Sequence, residues 1–161
     1  MKKLISIVIL SAIFVSCRPD NPQNENVGDG SSEARHGDGS DAVASNAREG
    51  KGIGAVQEVT LHTPLEQERI GRGKAIYEMK CQACHRLDDQ RVVGPGWKDV
   101  TTRRKPEWIM NMITNVDVML EQDPEAQKLL ELCLMRMPNQ NVSLGDARDV
   151  LEFMRLNDGE N

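Results

Sequence analysis

After residue 62, apolar residues recur every three or four positions, and this period predicts helices. Thr63, Pro64 and Glu66 have the spacing of a capping box with proline at the first helical position, so a first helix is predicted from there to about Lys80. One face of this helix carries the residues expected to be buried: Ile70, Gly73, Ile76 and Tyr77.

Three further helices are predicted from caps and apolar spacing. The second begins at Pro106 and turns four residues inward, namely Trp108, Ile109, Met112 and Ile113. The third follows a cap at Asp123 and spans Glu125 to Leu134. The last begins after Ser143, which pairs with Asp146 in an S-x-x-D pattern, and buries Ala147, Val150, Leu151 and Met154. No stretch alternates convincingly with period two, so the predicted fold class is all-α.

The stretch from Arg18 to Leu61 has a different composition. It is rich in Gly, Asn, Ser, Asp and Glu, and it has no aromatic residue and no sustained apolar period. Such a segment cannot bury enough surface to fold, so it is predicted to be a disordered tether with a root-mean-square reach of roughly 35–40 Å. The predicted organisation is a signal peptide over 1–16, a lipidated cysteine and linker over 17–61, and a folded domain over 62–161.

The N-terminus has the features of a bacterial export signal. Lys2 and Lys3 precede an apolar run that ends near Val15, too short for the ~20 residues that span a bilayer. The run continues into Ser16 and Cys17 and resembles a lipobox, in which the cysteine is lipidated and becomes the new N-terminus. The alternative is an ordinary signal peptide that releases a soluble protein. Both readings place the chain on the periplasmic side of a bacterial membrane.

The sequence C-x-x-C-H at Cys81, Cys84 and His85 is the motif that attaches a c-type haem. On one helical face, both thiols can bond to one porphyrin while the histidine binds its iron. A zinc site, a redox disulfide and a chance match compete with this interpretation. Zinc needs a second pair of ligands, and the remaining Cys133, His36 and His62 are scattered. A thioredoxin-like disulfide needs a βαβ unit, which the pattern does not show.

The net charge argues against some binding functions, and the cysteine count leaves one cysteine without a predicted role. Without Lys2 and Lys3, 18 basic residues against 25 acidic ones leave the mature chain at −7. This balance argues against nucleic-acid binding and against a polybasic membrane patch. After lipidation and haem attachment, Cys133 alone remains, between two leucines, and it is expected to be a buried small apolar residue.

The folded part resembles a class I c-type cytochrome. The resemblance rests on Gly73 and Tyr77 before the haem motif, on Phe153 near the end of the last helix, and on the pair Gly94-Pro95. It implies that the helix with Gly73 crosses the last helix closely, that the Pro95 carbonyl accepts the His85 proton, and that Arg103 meets a haem propionate.

The same resemblance implies that Met137, followed by Pro138, is the second axial iron ligand. Met135 is its rival, whereas Met110, Met112, Met119 and Met154 are expected to serve packing. The segment from Asn115 to Met137 is longer than in short family members and carries its own helix. A neutral thioether favours ferrous iron and raises the potential.

The sequence therefore predicts a lipid-anchored carrier of single electrons that uses one covalent haem c and is not an enzyme. The expected partners are a redox donor and acceptor, such as a membrane respiratory complex and a periplasmic reductase or terminal oxidase. Two alternatives stay open. One is a five-coordinate haem sensor or small redox enzyme, and the other is a fixed cytochrome subunit of a respiratory complex.

Overall fold

The computed structural model describes residue 45, residues 49–133 and residues 135–161. Within these ranges all regular structure is helical, and one isolated bridge joins His85 to Arg91. The predicted all-α class is confirmed. The signal peptide, Cys17 and His36 lie outside the described residues. No helix in the described ranges is long and apolar enough to cross a membrane.

The described chain forms six α-helices and one π-helical turn. They are α1 Gln67–Ile76, the π-turn Tyr77–Cys81, α2 Val100–Arg103, α3 Pro106–Thr114, α4 Val116–Gln122, α5 Pro124–Leu132 and α6 Leu144–Asn157. Helices α2 and α4 were not predicted. The signal for α4 was present, because its buried residues Val116, Met119 and Leu120 have helical spacing. Helix α5 ends two residues before the predicted end.

The start of α1 differs from the prediction. The helix begins at Gln67, so Thr63 and Pro64 precede it and no capping box forms. The Glu66 amide instead donates to the Glu152 carboxylate at 3.0 Å, and the Glu66 side chain pairs with Arg69. Glu66 is therefore held by the last helix through its amide, and its side chain does not accept from the Thr63 amide as a capping box requires. The π-turn carries the helix on to Cys81, close to the predicted end.

Two other predicted caps are confirmed. The Asp123 carboxylate accepts from the Ala126 amide at 2.8 Å and also from the Trp108 indole at 3.0 Å. The Ser143 hydroxyl accepts from the Asp146 amide at 3.1 Å. Each cap satisfies a backbone donor that has no partner within its own helix. Because Asp123 also holds Trp108, the start of α5 is fixed to the side of α3.

Helices α1 and α6 cross at Gly73, as predicted. A Cβ atom at Gly73 would lie 2.1 Å from the Asp149 carbonyl oxygen and 3.0 Å from the Phe153 Cβ. No other residue could occupy this position without moving the helices apart. Beside the crossing, the Tyr77 ring lies 5.5 Å from that of Phe153. This contact fixes the direction in which α1 delivers the haem motif.

Residues 51–59, which we call the strap, pack against α3 and α4. The buried Asn111 side chain donates to the carbonyls of Lys51 and Val56 at 3.0 and 2.9 Å and accepts from the Val56 amide at 3.0 Å. Ile53 and Val56 are buried, and the Ile53 amide contacts the Met119 sulfur at 3.0 Å. The prediction of a disordered linker as far as Leu61 is therefore wrong for the strap. Two apolar residues are too few to show a local period, and their partners lie far along the chain.

Candidate haem site

The haem motif follows directly from the π-turn at the end of α1. The Cys84 and His85 amides both donate to the Cys81 carbonyl, at 3.0 and 2.9 Å, so the motif is one helical turn. The Tyr77 hydroxyl donates to the His85 carbonyl at 2.9 Å and ties this turn back to the helix crossing. The local geometry thus brings both thiols and the imidazole to one side of the chain.

The His85 ring is held in one orientation by the Gly94-Pro95 segment. Its Nδ1 lies 2.9 Å from the Pro95 carbonyl oxygen. Because a carbonyl can only accept, Nδ1 carries the proton and Nε2 presents a lone pair. Burial lowers the pKa of His85, and the bond to Pro95 offsets this only in part, so the ring is neutral as a metal ligand requires.

Gly94 is required by the position of this ring. A Cβ atom at Gly94 would lie 2.3 Å from the His85 Cε1. The Trp97 ring packs on the imidazole with a centroid distance of 5.6 Å. Glycine, proline and tryptophan therefore confine the histidine, and the ligand is oriented before any cofactor binds.

The two motif cysteines are free thiols. Burial raises the pKa of Cys81 to about 11, and the nearby Lys80 offsets this only in part. The thiol therefore stays protonated at neutral pH. In the described residues no cluster of three or more His, Cys, Asp or Glu side chains could hold a metal ion, so the alternative of a zinc site gains no support.

An apolar cavity opens beside His85. Its walls come from the segment after the motif, from α3, from α4 and α5, and from the loop before α6. The apolar lining residues include Val93, Pro95, Trp97, Val100, Trp108, Ile109, Met112, Ile113, Leu120, Leu129, Leu130, Met137, Pro138 and Met154. The inserted helices α4 and α5 thus form part of this wall, a role that the sequence did not reveal.

Met137 and Met135 both line the cavity. Met137 is half-buried and packs against the apolar core, whereas Met135 is 62% exposed. Met112 and Met154 also line the cavity, but they lie within α3 and α6. Of these four methionines, Met137 is therefore the one that lies in a loop and is also half-buried. Its coordination to iron stays a prediction.

Two arginine side chains also line the cavity. Arg103 lies at the wall but donates to the carbonyls of Gly96 and Lys98 at 3.3 and 2.8 Å, and its contact with a propionate stays a prediction. Arg104, which was not singled out from the sequence, also lines the cavity, pairs with Glu125 at 2.9 Å and stacks on a tryptophan.

The burial of Cys133 differs from the prediction. The residue was predicted to be buried, and it is instead only half-buried and lines the cavity. Helix α5 ends at Leu132, so Cys133 turns with the loop toward the cavity instead of staying on a buried helical face.

These residues fit a covalently attached haem. Cys81 and Cys84 would hold its two vinyl-derived carbons, the Nε2 of His85 would bind its iron, and the apolar walls would enclose the porphyrin. The bound group would supply a one-electron couple between Fe(III) and Fe(II).

Comparisons with known proteins agree with this site. The cytochrome c family model matches residues 70–157. A solved cytochrome c from Rhodothermus marinus is 32% identical, with a TM-score of 0.65, and the alignment covers 73% of this chain and 95% of that one. An engineered cytochrome c from the same organism, bound to a carbene intermediate, is also 32% identical, with a TM-score of 0.62 and coverage of 73% and 96%.

A search of curated protein sequences found no match. The family match spans the helix crossing, the haem motif, the cavity and the last helix, which are the features that the structure brings together. The chain is therefore a member of the cytochrome c family, a class I c-type cytochrome whose cofactor is one covalently bound haem c.

Proposed function

We propose that this cytochrome is a periplasmic carrier of single electrons, held at a bacterial membrane by a lipid on Cys17. The observation that supports the electron-transfer role is that two candidate axial ligands, His85 and Met137, line one apolar cavity. His85 is fixed on one side by Pro95, and the half-buried Met137 lines the same cavity from the loop before α6. Two axial ligands leave iron no open position for a substrate.

The remaining features of the site suit rapid electron exchange. The lining is predominantly apolar, and the His85 ring is locked by a hydrogen bond and by packing. A rigid, apolar surrounding changes little when iron changes charge, so little reorganisation opposes the transfer. In this proposal the protein positions the haem and transforms no substrate.

A five-coordinate sensor or small redox enzyme is the competing function. The engineered Rhodothermus marinus relative is described with a carbene intermediate, so a cytochrome of this fold can be engineered to hold a reactive ligand. In this chain, Met137 lines the same cavity as His85, and as a second axial ligand it would take the position that such a ligand needs. The proposed membrane location and redox partners of this cytochrome are supported by the lipobox-like sequence before Cys17 and by the predicted tether. A respiratory complex and a periplasmic reductase or terminal oxidase are the proposed donor and acceptor.

The distal methionine tests this proposal directly. The wild-type ferric protein is expected to be low-spin, to show the weak thioether-to-iron charge-transfer band and to resist carbon monoxide when reduced. Met137→Ala removes the thioether, so the band should disappear, the reduction potential should fall and carbon monoxide should bind. Absorption spectra and a redox titration measure all three changes.

Met135→Ala is the matched control, because it removes a methionine two residues away that also lines the cavity. Its spectrum and potential should match those of the wild type. Loss of the band only in this variant would make Met135 the ligand and leave the function unchanged. Rapid carbon monoxide binding by the reduced wild type would contradict the electron-carrier proposal and favour the sensor or enzyme.

A further inference from the structure

The segment that orients His85 is tied to the haem motif near its middle. We call residues 87–99 the proximal loop; they include Pro95, whose carbonyl oxygen accepts from the His85 Nδ1 at 2.9 Å. The neighbouring Gly94 amide donates to the Cys84 carbonyl at 2.9 Å. The backbone position of the proximal loop therefore decides whether Pro95 can accept the proton of the imidazole ring.

The end of helix α6 holds the proximal loop at both of its ends. The Asn157 side-chain amide donates to the Leu87 carbonyl at 3.0 Å, and the Asp158 carboxylate accepts from the Asp99 amide at 2.7 Å. Leu87 and Asp99 are the first and last residues of the loop, whereas Asn157 and Asp158 are neighbours in the chain. A single helix end therefore restrains both ends of the loop.

Asp158 also caps helix α2, which follows the proximal loop. Its second carboxylate oxygen accepts from the Thr101 amide at 2.8 Å and from the Thr101 hydroxyl at 2.7 Å. The first amides of a helix lack partners within it, and Asp99, the residue before α2, makes no side-chain cap of its own. Asp99 has a left-handed backbone with a φ of 56°, which costs energy for residues other than glycine, so the bond from its amide helps to hold it. Through this cap, Asp158 fixes the helix that places Val100 and Arg103 in the cavity wall.

The end of α6 is itself braced, so it can hold the loop. The guanidinium of Arg155, which is only 3% exposed, binds the Glu160 carboxylate at 2.8 Å beyond the end of the helix. The middle of α6 crosses α1 at Gly73, and α1 leads into the haem motif. One helix therefore positions both the turn that carries the histidine and the loop that accepts its proton.

We propose that Asn157 and Asp158 are positioning residues for the proximal iron ligand. They hold the proximal loop in the arrangement in which the Pro95 carbonyl accepts from His85, although neither residue lines the haem cavity. A carbonyl that accepts from Nδ1 fixes the rotation of the ring and raises its basicity as a ligand. This inference rests on the proposed electron-carrier function, because a carrier needs a ligand that keeps one orientation in both oxidation states.

The exchange of the His85 Nδ1 proton with water measures how firmly the proximal loop is held. In the haem-loaded, reduced protein this proton is followed by nuclear magnetic resonance with magnetisation transfer from water. The proton exchanges when the Pro95 carbonyl moves away, so its exchange rate reports the opening of the loop. Asp158→Ala removes three hydrogen bonds and should accelerate exchange by about tenfold or more. Asn157→Ala removes the bond to the other end of the loop and should accelerate it by about two- to tenfold.

Two further variants separate this role from general stability. Thr101→Val removes the hydroxyl bond to Asp158 and leaves the amide bond in place, so its exchange rate should lie between those of the wild type and Asp158→Ala. Ser143→Ala is the matched control, because it removes the cap at the opposite end of α6 and no contact of the proximal loop. It should lower the thermal stability of the protein but leave proton exchange at the wild-type rate.

Unchanged exchange in both Asp158→Ala and Asn157→Ala, or the same acceleration in Ser143→Ala, would overturn the positioning role while leaving the electron carrier intact. Failure of the proposed function would look different. The wild type would then bind carbon monoxide rapidly, or it would not be reduced reversibly by a small soluble mediator, whatever the exchange rate of the proton.

Discussion

Asp149 and Glu152 are acidic residues buried where α6 meets α1. Burial by itself would raise the pKa of Asp149, but hydrogen bonds from Arg72 and Arg69 outweigh it and hold that pKa below its usual value. Glu152 is fully buried, and the Glu66 amide together with Arg148 likewise lowers its pKa despite the burial. Both carboxylates are therefore charged and fully partnered in the folded protein.

These lowered pKa values predict acid sensitivity. A carboxylate whose pKa is lower in the folded state stabilises the fold fully above its unfolded pKa of about 4 and loses that contribution as pH falls through the folded pKa. Asp149→Asn should therefore cost about 1–3 kcal/mol of unfolding free energy near neutral pH. The difference from wild type should shrink as pH falls through the lowered folded pKa and the wild-type carboxyl is itself protonated.

Urea unfolding followed by circular dichroism measures this difference as a function of pH. Asp146→Asn is the control, since Asp146 is exposed in the first turn of the same helix and its carboxylate has no ion pair in the described structure. A pH-independent cost for Asp149→Asn would show that packing, and not charge, accounts for the loss.

At the scale of elements, the strap is a part of the fold that lies outside the matched family region. Its hydrogen bonds reach Asn111 on α3 and Met119 on α4, and the same two helices supply Ile109, Met112 and Leu120 to the cavity wall. The strap thus covers the outer side of the wall whose inner side faces the haem site. An apolar wall covered in this way is shielded from water on both sides.

Deletion of the strap should therefore destabilise the domain. A chain that starts near residue 49 should match the full mature chain, whereas one that starts at residue 62 loses the burial of Ile53 and Val56 and leaves Asn111 without partners. The expected cost is roughly 3–6 kcal/mol, from two buried aliphatic side chains. Thermal unfolding of the two haem-loaded proteins measures it, and equal melting temperatures would contradict the structural role of the strap.

Helices α4 and α5, which form the inserted segment, are held against α3 by specific contacts. Asp123 caps α5 and binds the Trp108 indole, and Arg104 joins the cavity wall to Glu125. The insertion is therefore fixed to α3 by one buried carboxylate and one ion pair. Three of its leucines, Leu120, Leu129 and Leu130, line the cavity.

For the whole molecule, the proposed lipid anchor and tether would decide where the electron is delivered. Cys17→Ser should move the protein from the membrane fraction to the soluble periplasm, or leave it unprocessed, because the lipid is expected to be the membrane attachment. The absorption spectrum should not change, since Cys81 and Cys84 are the cysteines expected to attach the haem. Fractionation and mass analysis of the N-terminus are the measurements. A mature chain that begins elsewhere and carries no acyl mass would reject the lipoprotein proposal.

The sequence by itself determined the cofactor, the helical class and the main contacts of the site. Cys81, Cys84 and His85 are neighbours along the chain, so their chemistry is local and readable. The close approach at Gly73 was also readable from the family resemblance, whereas the close approach of Gly94 to the His85 ring was not predicted. Caps at Asp123 and Ser143 depend on residues two or three positions away, and they too were predicted correctly.

Tertiary structure alone decided the start of α1, the folded strap and the far wall of the cavity. Glu66 is held by Glu152, and Val56 is held by Asn111, across more than fifty residues in each case. Such contacts leave no local period, because the partner that makes them favourable is absent from the neighbouring sequence.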